Sequence, residues 1–149
     1  MKPTSVLVVL LSCWMTCAAA QLAQCNLAGQ WKNNLGSNMT ISVLSDGMLS
    51  GSYLTSVSTT NKTIVESPLV GYQQLNGHPT FGFTVQWAFS NSITVFTGQC
   101  YRDESGKLFL KTMWLLRSES EEIKDDWAKT RVGYNIFEKL TTISPVPEV

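Results

Sequence analysis

The side chains that carry most enzyme chemistry are sparse in this chain of 149 residues. Its one histidine, His78, stands in an Asn76-Gly77-His78-Pro79 turn and reads as a solvated loop residue rather than a general base. Asp125 and Asp126 are adjacent carboxylates, but neighbours in a short turn point apart, so they read as the acidic start of a helical turn. No free thiol beside a base and no spaced cluster of metal ligands is visible. The expectation is a protein that is not an enzyme and holds no metal.

Binding chemistry is better represented. Phe81, Phe83, Val85, Trp87 and Phe89 alternate, which puts them on one face of an extended strand. After the Ser90-Asn91 turn, Ser92, Thr94 and Phe96 fall on one side of the next strand, with Ile93 and Val95 on the other. The plain reading of such a hairpin is the inner layer of a β-protein. A dry core, however, favours Leu, Ile and Val, which bring no polar atom needing a partner. A wall of rings ending in hydroxyls reads more readily as a pocket.

The elements that would hold that wall are strands. Runs at 29–33, 38–44, 49–55, 68–74, 80–89, 92–102, 107–117 and 130–139 are separated by turn signals such as Asp46-Gly47 and Asp103-Glu104-Ser105-Gly106. One short helical turn is expected at 118–127, before the last strand, where it ends by presenting Trp127. The expected class is all-β: an eight-stranded antiparallel up-and-down β-barrel, with a sandwich as the other arrangement. The hydroxyl-rich segment 56–66 lacks compact turn chemistry and reads as a lid over one mouth. Trp31, in Gly29-Gln30-Trp31, is placed at the closed end, with Arg131 of the last strand expected beside its ring.

Residues 1–20 read as a signal peptide: Lys2, an apolar run from Val6 to Leu11, and Ala18-Ala19-Ala20 before a mature start at Gln21. The apolar run is too short for a stable anchor, so the expectation is a secreted, soluble chain with no membrane partner. One barrel domain over 21–143 and a disordered tail at 144–149 complete the division. Export removes Cys13 and Cys17 and leaves Cys25 and Cys100 as a disulfide pair. Removing Lys2 takes the basic count from 11 to ten against 11 acidic residues, which argues against a nucleic-acid partner. Asn38-Met39-Thr40 and Asn61-Lys62-Thr63 are glycosylation sequons.

Several segments together go beyond pattern. Gly29 to Thr40, Gly51-Ser52-Tyr53-Leu54-Thr55, Pro79 to Val85, Val95-Phe96-Thr97-Gly98-Gln99-Cys100, Lys111 to Arg117, Asp125-Asp126-Trp127 and Thr130 to Phe137 resemble, in one collinear order, the avidin family of biotin-binding proteins. The resemblance implies a barrel holding one biotin in its open end and four barrels associating as a homotetramer. It implies that Asn33, Ser37 and Tyr53 hold the ureido oxygen, Thr55 and Asn135 the ureido nitrogens, and that Thr94 meets the ring sulfur. Trp87, Phe89, Phe96 and Trp114 match an aromatic box, and Trp127 matches a residue lent to the neighbouring subunit. Ser58, Thr59 and Thr60 of the lid, with Ser90 and Ser92, match donors to the carboxylate, which would then be held without Lys or Arg. Biotinylated molecules would bind as well. Asn34 stands where the best-known member has Asp, Ala128 where it has Lys, and Tyr134 replaces a smaller aliphatic at a position that would face a neighbour. A lipocalin-like carrier of a more apolar ligand is the alternative.

Overall fold

A computed structural model describes residues 25–141 of the chain. The expected signal peptide at 1–20, Cys13, Cys17, the Gln21 start and the tail at 144–149 lie outside the described residues. The described strands are β1 (Gly29–Asn33), β2 (Asn38–Val43), β3 (Met48–Leu54), β4 (Ser67–Gln73), β5 (Thr80–Gln86), β6 (Ser92–Arg102), β7 (Leu108–Ser118) and β8 (Thr130–Lys139), with a 3₁₀ helix at Ile123–Ala128 before the last. Every strand pairs antiparallel with its neighbour in sequence, and β1 closes on β8 through Trp31 opposite Lys139 and Asn33 opposite Phe137. The all-β, eight-stranded up-and-down barrel is as expected. Closure leaves no unpaired edge along the sheet. Among the described residues no helix is long and apolar enough to cross a membrane.

The alternation of the strands sorts side chains into two populations. Inward go Trp31, Met39, Ile41, Tyr53, Leu69, Phe81, Phe83, Val85, Phe96, Leu110 and Phe137, all buried. The rings interlock: Phe83 stacks on Phe96 at 4.7 Å between centroids, and Tyr53 on Phe96 at 5.6 Å. Each buried ring removes on the order of 150 to 250 Å² from water, so this layer dominates the stabilising apolar burial.

One end of the barrel is shut. Residues 25–28 are fastened to it by the Cys25–Cys100 disulfide, by Lys139 Nζ donating to the Asn26 carbonyl at 2.8 Å, and by Trp31 Nε1 donating to the Leu27 carbonyl at 2.8 Å. The cation over the Trp31 ring is Lys139, at 5.3 Å, and not Arg131. The reason is register. Trp31 faces Lys139 across the closing seam, whereas Arg131 lies eight residues earlier on β8, about 26 Å away along an extended strand. Arg131 is therefore at the opposite mouth.

Two other expectations shift. The strand expected at 80–89 stops at Gln86, because its last partners are Leu69, opposite Val85, and Ile93, opposite Gln86. Trp87 to Ser90 turn instead, held where Ala88 N–H donates to Ser67 Oγ at 3.0 Å. Trp87 still points inward, while Phe89 sits in the turn. The helical turn expected at 118–127 is a 3₁₀ helix over Ile123–Ala128 without a side-chain cap, since Ser118 belongs to β7 and bonds to the Lys129 carbonyl at 2.9 Å. The remaining strand ends differ by one residue or so.

Candidate functional site

A cavity of about 520 Å³ opens at the unshut end, within the usual range for small-molecule sites. Its polar floor is built largely by the β1–β2 connection. Asn33 starts that turn and folds it around its own side chain: its Oδ1 accepts from Leu35 N–H at 3.0 Å and Ser37 N–H at 2.9 Å, and Gly36 takes φ +90° to complete the reversal. With Oδ1 fully used, the Asn33 amide can offer only Nδ2 elsewhere. Nδ2 donates to Tyr53 Oη at 3.2 Å, leaving its second hydrogen for the cavity.

The same bookkeeping fixes the other floor groups. Tyr53 Oη accepts from Asn33, so its own hydrogen is free to donate into the cavity; burial pushes the phenol up to about 12, which keeps that hydrogen in place. Ser37 Oγ accepts from Ser56 N–H at 3.0 Å, and Ser56 Oγ spends its hydrogen on the Leu35 carbonyl at 2.6 Å, so in the 3.3 Å contact between the two hydroxyls Ser37 is the donor, and its rotatable hydrogen, which also reaches Tyr53, is the one a ligand could draw into the cavity. Three donors thus converge: Asn33, Ser37 and Tyr53.

Acceptors flank them. Thr55 Oγ1 donates to the Val57 carbonyl at 2.8 Å, which leaves a lone pair toward the cavity. Asn135 is oriented from both sides. Asn34 Oδ1 accepts Ile136 N–H at 3.2 Å, so it must be an acceptor, and Asn135 Nδ2 donates to it at 3.0 Å. Trp114 Nε1, which can only donate, meets Asn135 Oδ1 at 2.9 Å. Asn135 therefore presents an acceptor to the cavity. A floor of three donors between two acceptors complements a planar group with one strong acceptor flanked by two N–H groups. Such a group would find every polar atom paired, and each contact is strengthened by the low dielectric around it.

Above the floor the walls are aromatic. Trp87, Phe89, Phe96 and Trp114 all line the cavity. Trp87 lies edge-on to Tyr53 at 5.5 Å and 5.9 Å from Phe89. Its Nε1 donates to Thr94 Oγ1 at 2.8 Å, so Thr94 keeps its own hydroxyl hydrogen for a ligand. Gly133 lies opposite Trp114 across β7 and β8, and a methyl there would run into the indole. That glycine is what lets the ring lie flat across the neighbouring strand.

The mouth is ringed by Ser58, Thr59, Thr60, Ser90 and Ser92. Ser90 and Ser92 share a hydrogen at 2.5 Å. The 56–66 segment has no regular secondary structure, but it does carry turn chemistry of its own: Thr60 N–H donates to Ser58 Oγ at 3.1 Å and Lys62 N–H to Thr60 Oγ1 at 3.2 Å. Its hydroxyls shape the backbone, a signal that a search for Gly and Pro overlooks.

Of the candidate residues, Trp127 alone is away from the cavity. It is 85% exposed on the 3₁₀ helix, which Arg117 clasps through Asp126 while it also donates to Thr130 Oγ1 at the start of β8. The Arg117 guanidinium holds the Asp126 carboxyl below its ordinary range. Asn38 and Asn61 are exposed. Asp125 and His78 are also exposed, and among the described residues no group of three or more His, Cys, Asp or Glu is placed to hold a metal. The sequence reading missed Leu35, Val57, Asn91, Leu116, Ser118, Glu119 and Arg131 as lining residues and Asn34 as the group that orients Asn135. Strand register carries the missing signal for two of them: Thr94 pairs with Leu116, and Leu116 with Arg131.

Comparison with known proteins gives a consistent result. The profile of the Avidin family matches residues 21–140. "Avidin" of Gallus gallus is 52% identical over 141 residues, covering 92% of this chain and 93% of that protein. Among solved structures, Xenavidin superposes with a TM-score of 0.77 at 60% identity, over 78% of this chain and 99% of its own. The structure titled "X-ray structure of biotin binding protein from chicken" gives a TM-score of 0.77 at 53% identity, over 79% and 98%.

Proposed function

The chain belongs to the avidin family, and on that premise we propose that it is a secreted protein that binds biotin non-covalently, with high affinity, and sequesters it without catalysis. The observation that carries this reading is the polarity of the cavity floor, where donors from Asn33, Ser37 and Tyr53 lie between acceptors from Thr55 and Asn135. A cyclic urea carries the complementary set. Its carbonyl would accept from the three donors, and its two N–H groups would donate to Thr55 and Asn135. Thr94 would offer its hydroxyl to the ring sulfur, and Trp87, Phe89, Phe96 and Trp114 would enclose the bicyclic rings. The valerate chain would then run to Ser58, Thr59, Thr60, Ser90 and Ser92 at the mouth, where a biotin joined to another molecule through an amide also fits.

Assembly as a homotetramer is part of the same reading. The outer face of β6 to β8 carries Val95, Met113, Leu115, Val132, Tyr134 and Ile136, all exposed in the single chain. A continuous apolar sheet face of this kind calls for a partner, and Trp127 projects from the rim where a second copy could receive it. Export through a cleaved segment at 1–20 and glycans on Asn38 and Asn61 complete the proposal. A carrier of apolar ligands fits less well, because a hydrocarbon tail would leave the floor groups unpaired at about 1 to 3 kcal/mol each.

Titration of the purified protein with biotin, followed by Trp fluorescence, tests this directly. The expected result is quenching that saturates at one ligand per chain; no response at micromolar biotin would overturn it.

A further inference from the structure

Arg131 enters β8 at the open mouth, opposite Leu116, which in turn faces Thr94. That register puts it on the inward side, and its side chain lines the cavity. Nη1 donates to Thr59 Oγ1 at 3.3 Å, bridging from the last strand to the 56–66 segment. Among the described residues this is the single hydrogen bond that the guanidinium makes, although it carries five N–H donors. No carboxylate pairs with it among the described residues. The acid at the same mouth, Glu119, accepts from Asn91 Nδ2 at 2.6 Å instead. The other polar groups at the rim, Ser58, Thr60, Ser90 and Ser92, are neutral.

We propose that Arg131 is the counter-charge for the carboxylate of the bound ligand, and that it sets a preference for the free acid over its amides and esters. This rests on the biotin reading of the cavity. With the urea on the floor, the acid end of a four-carbon chain reaches the mouth, where hydroxyls can hydrogen-bond to it but cannot neutralise it. The forked guanidinium can do both, and it lines that space with N–H donors that no side chain among the described residues takes up. Because Arg131 is exposed, its charge acts partly through attraction during association and is weakened by salt.

The experiment compares biotin with biotinamide, which keeps the rings and chain but has no charge, on wild type, R131L and R131K. Association and dissociation rates are read by Trp fluorescence. Wild type is expected to favour the acid, and R131L to reduce the acid-to-amide affinity ratio by about five- to tenfold. R131K should restore part of the ratio, and added salt should erode it in wild type and R131K but not in R131L. An unchanged ratio in R131L, or equal losses for both ligands, would overturn the assignment and leave Arg131 as a strut for the 56–66 segment. If wild type bound neither ligand, the biotin reading itself would fall, a result distinguishable from the other two.

Discussion

Tyr53 shows how one residue couples the fold to the site. Its ring is stacked in the core, while its hydroxyl is one of the floor donors. Burial raises its phenol from 10.0 to about 12, and the hydrogen bonds from Ser37 and Asn33 offset only part of that. The folded state therefore holds the proton more tightly than the unfolded chain. The associated stability is complete below about pH 10 and is lost as pH rises through about 12, amounting to roughly 2 to 3 kcal/mol. Denaturant unfolding across that range should show the loss in wild type and a flatter profile in Y53F. At this scale the sequence was highly legible, since each candidate floor and wall residue except Trp127 lines the cavity. What it hid was orientation. Nothing in the letters shows that Asn34 accepts from Ile136 N–H and so obliges Asn135 to present oxygen.

At the scale of elements, alternation and turn residues located every strand, because a two-residue period with Asp-Gly at a hairpin is a strong local signal. Strand pairing was less visible. Arg131 is expected beside Trp31 because the last strand meets the first when the barrel closes, and only the closing register shows that Lys139 occupies that place. Phe89 kept the alternation of β5 after the ladder had ended at Gln86, so periodicity alone overran the strand. Gly133 is a further feature of pairing, since its importance comes from Trp114 lying across it. G133A should displace that indole, break its bond to Asn135, and weaken biotin binding by about ten- to a hundredfold at an overpacking cost of about 1 to 3 kcal/mol. Calorimetric titration would check the affinity, and circular dichroism should show the barrel retained.

The whole molecule has two unequal faces, an interior shut at one end and open at the other, and an apolar outer wall over β6 to β8. Trp127 belongs to neither, being 85% exposed and yet fastened by the Arg117–Asp126 clasp. An exposed ring on an anchored helix is explained if a second chain receives it. W127K should then weaken biotin binding and tetramer stability together, read by ligand dissociation and by sedimentation. Loss of affinity in a chain that is monomeric from the outset would contradict the shared ring.

The most direct measurement of the central claim is a crystal structure of the protein grown with biotin. The expected result places the ureido oxygen within hydrogen-bond distance of Asn33 Nδ2, Ser37 Oγ and Tyr53 Oη, with the ring N–H groups on Thr55 and Asn135 and the carboxylate at the mouth. Biotin lying in reverse, with its carboxylate among those three donors, or bound outside the cavity, would contradict it.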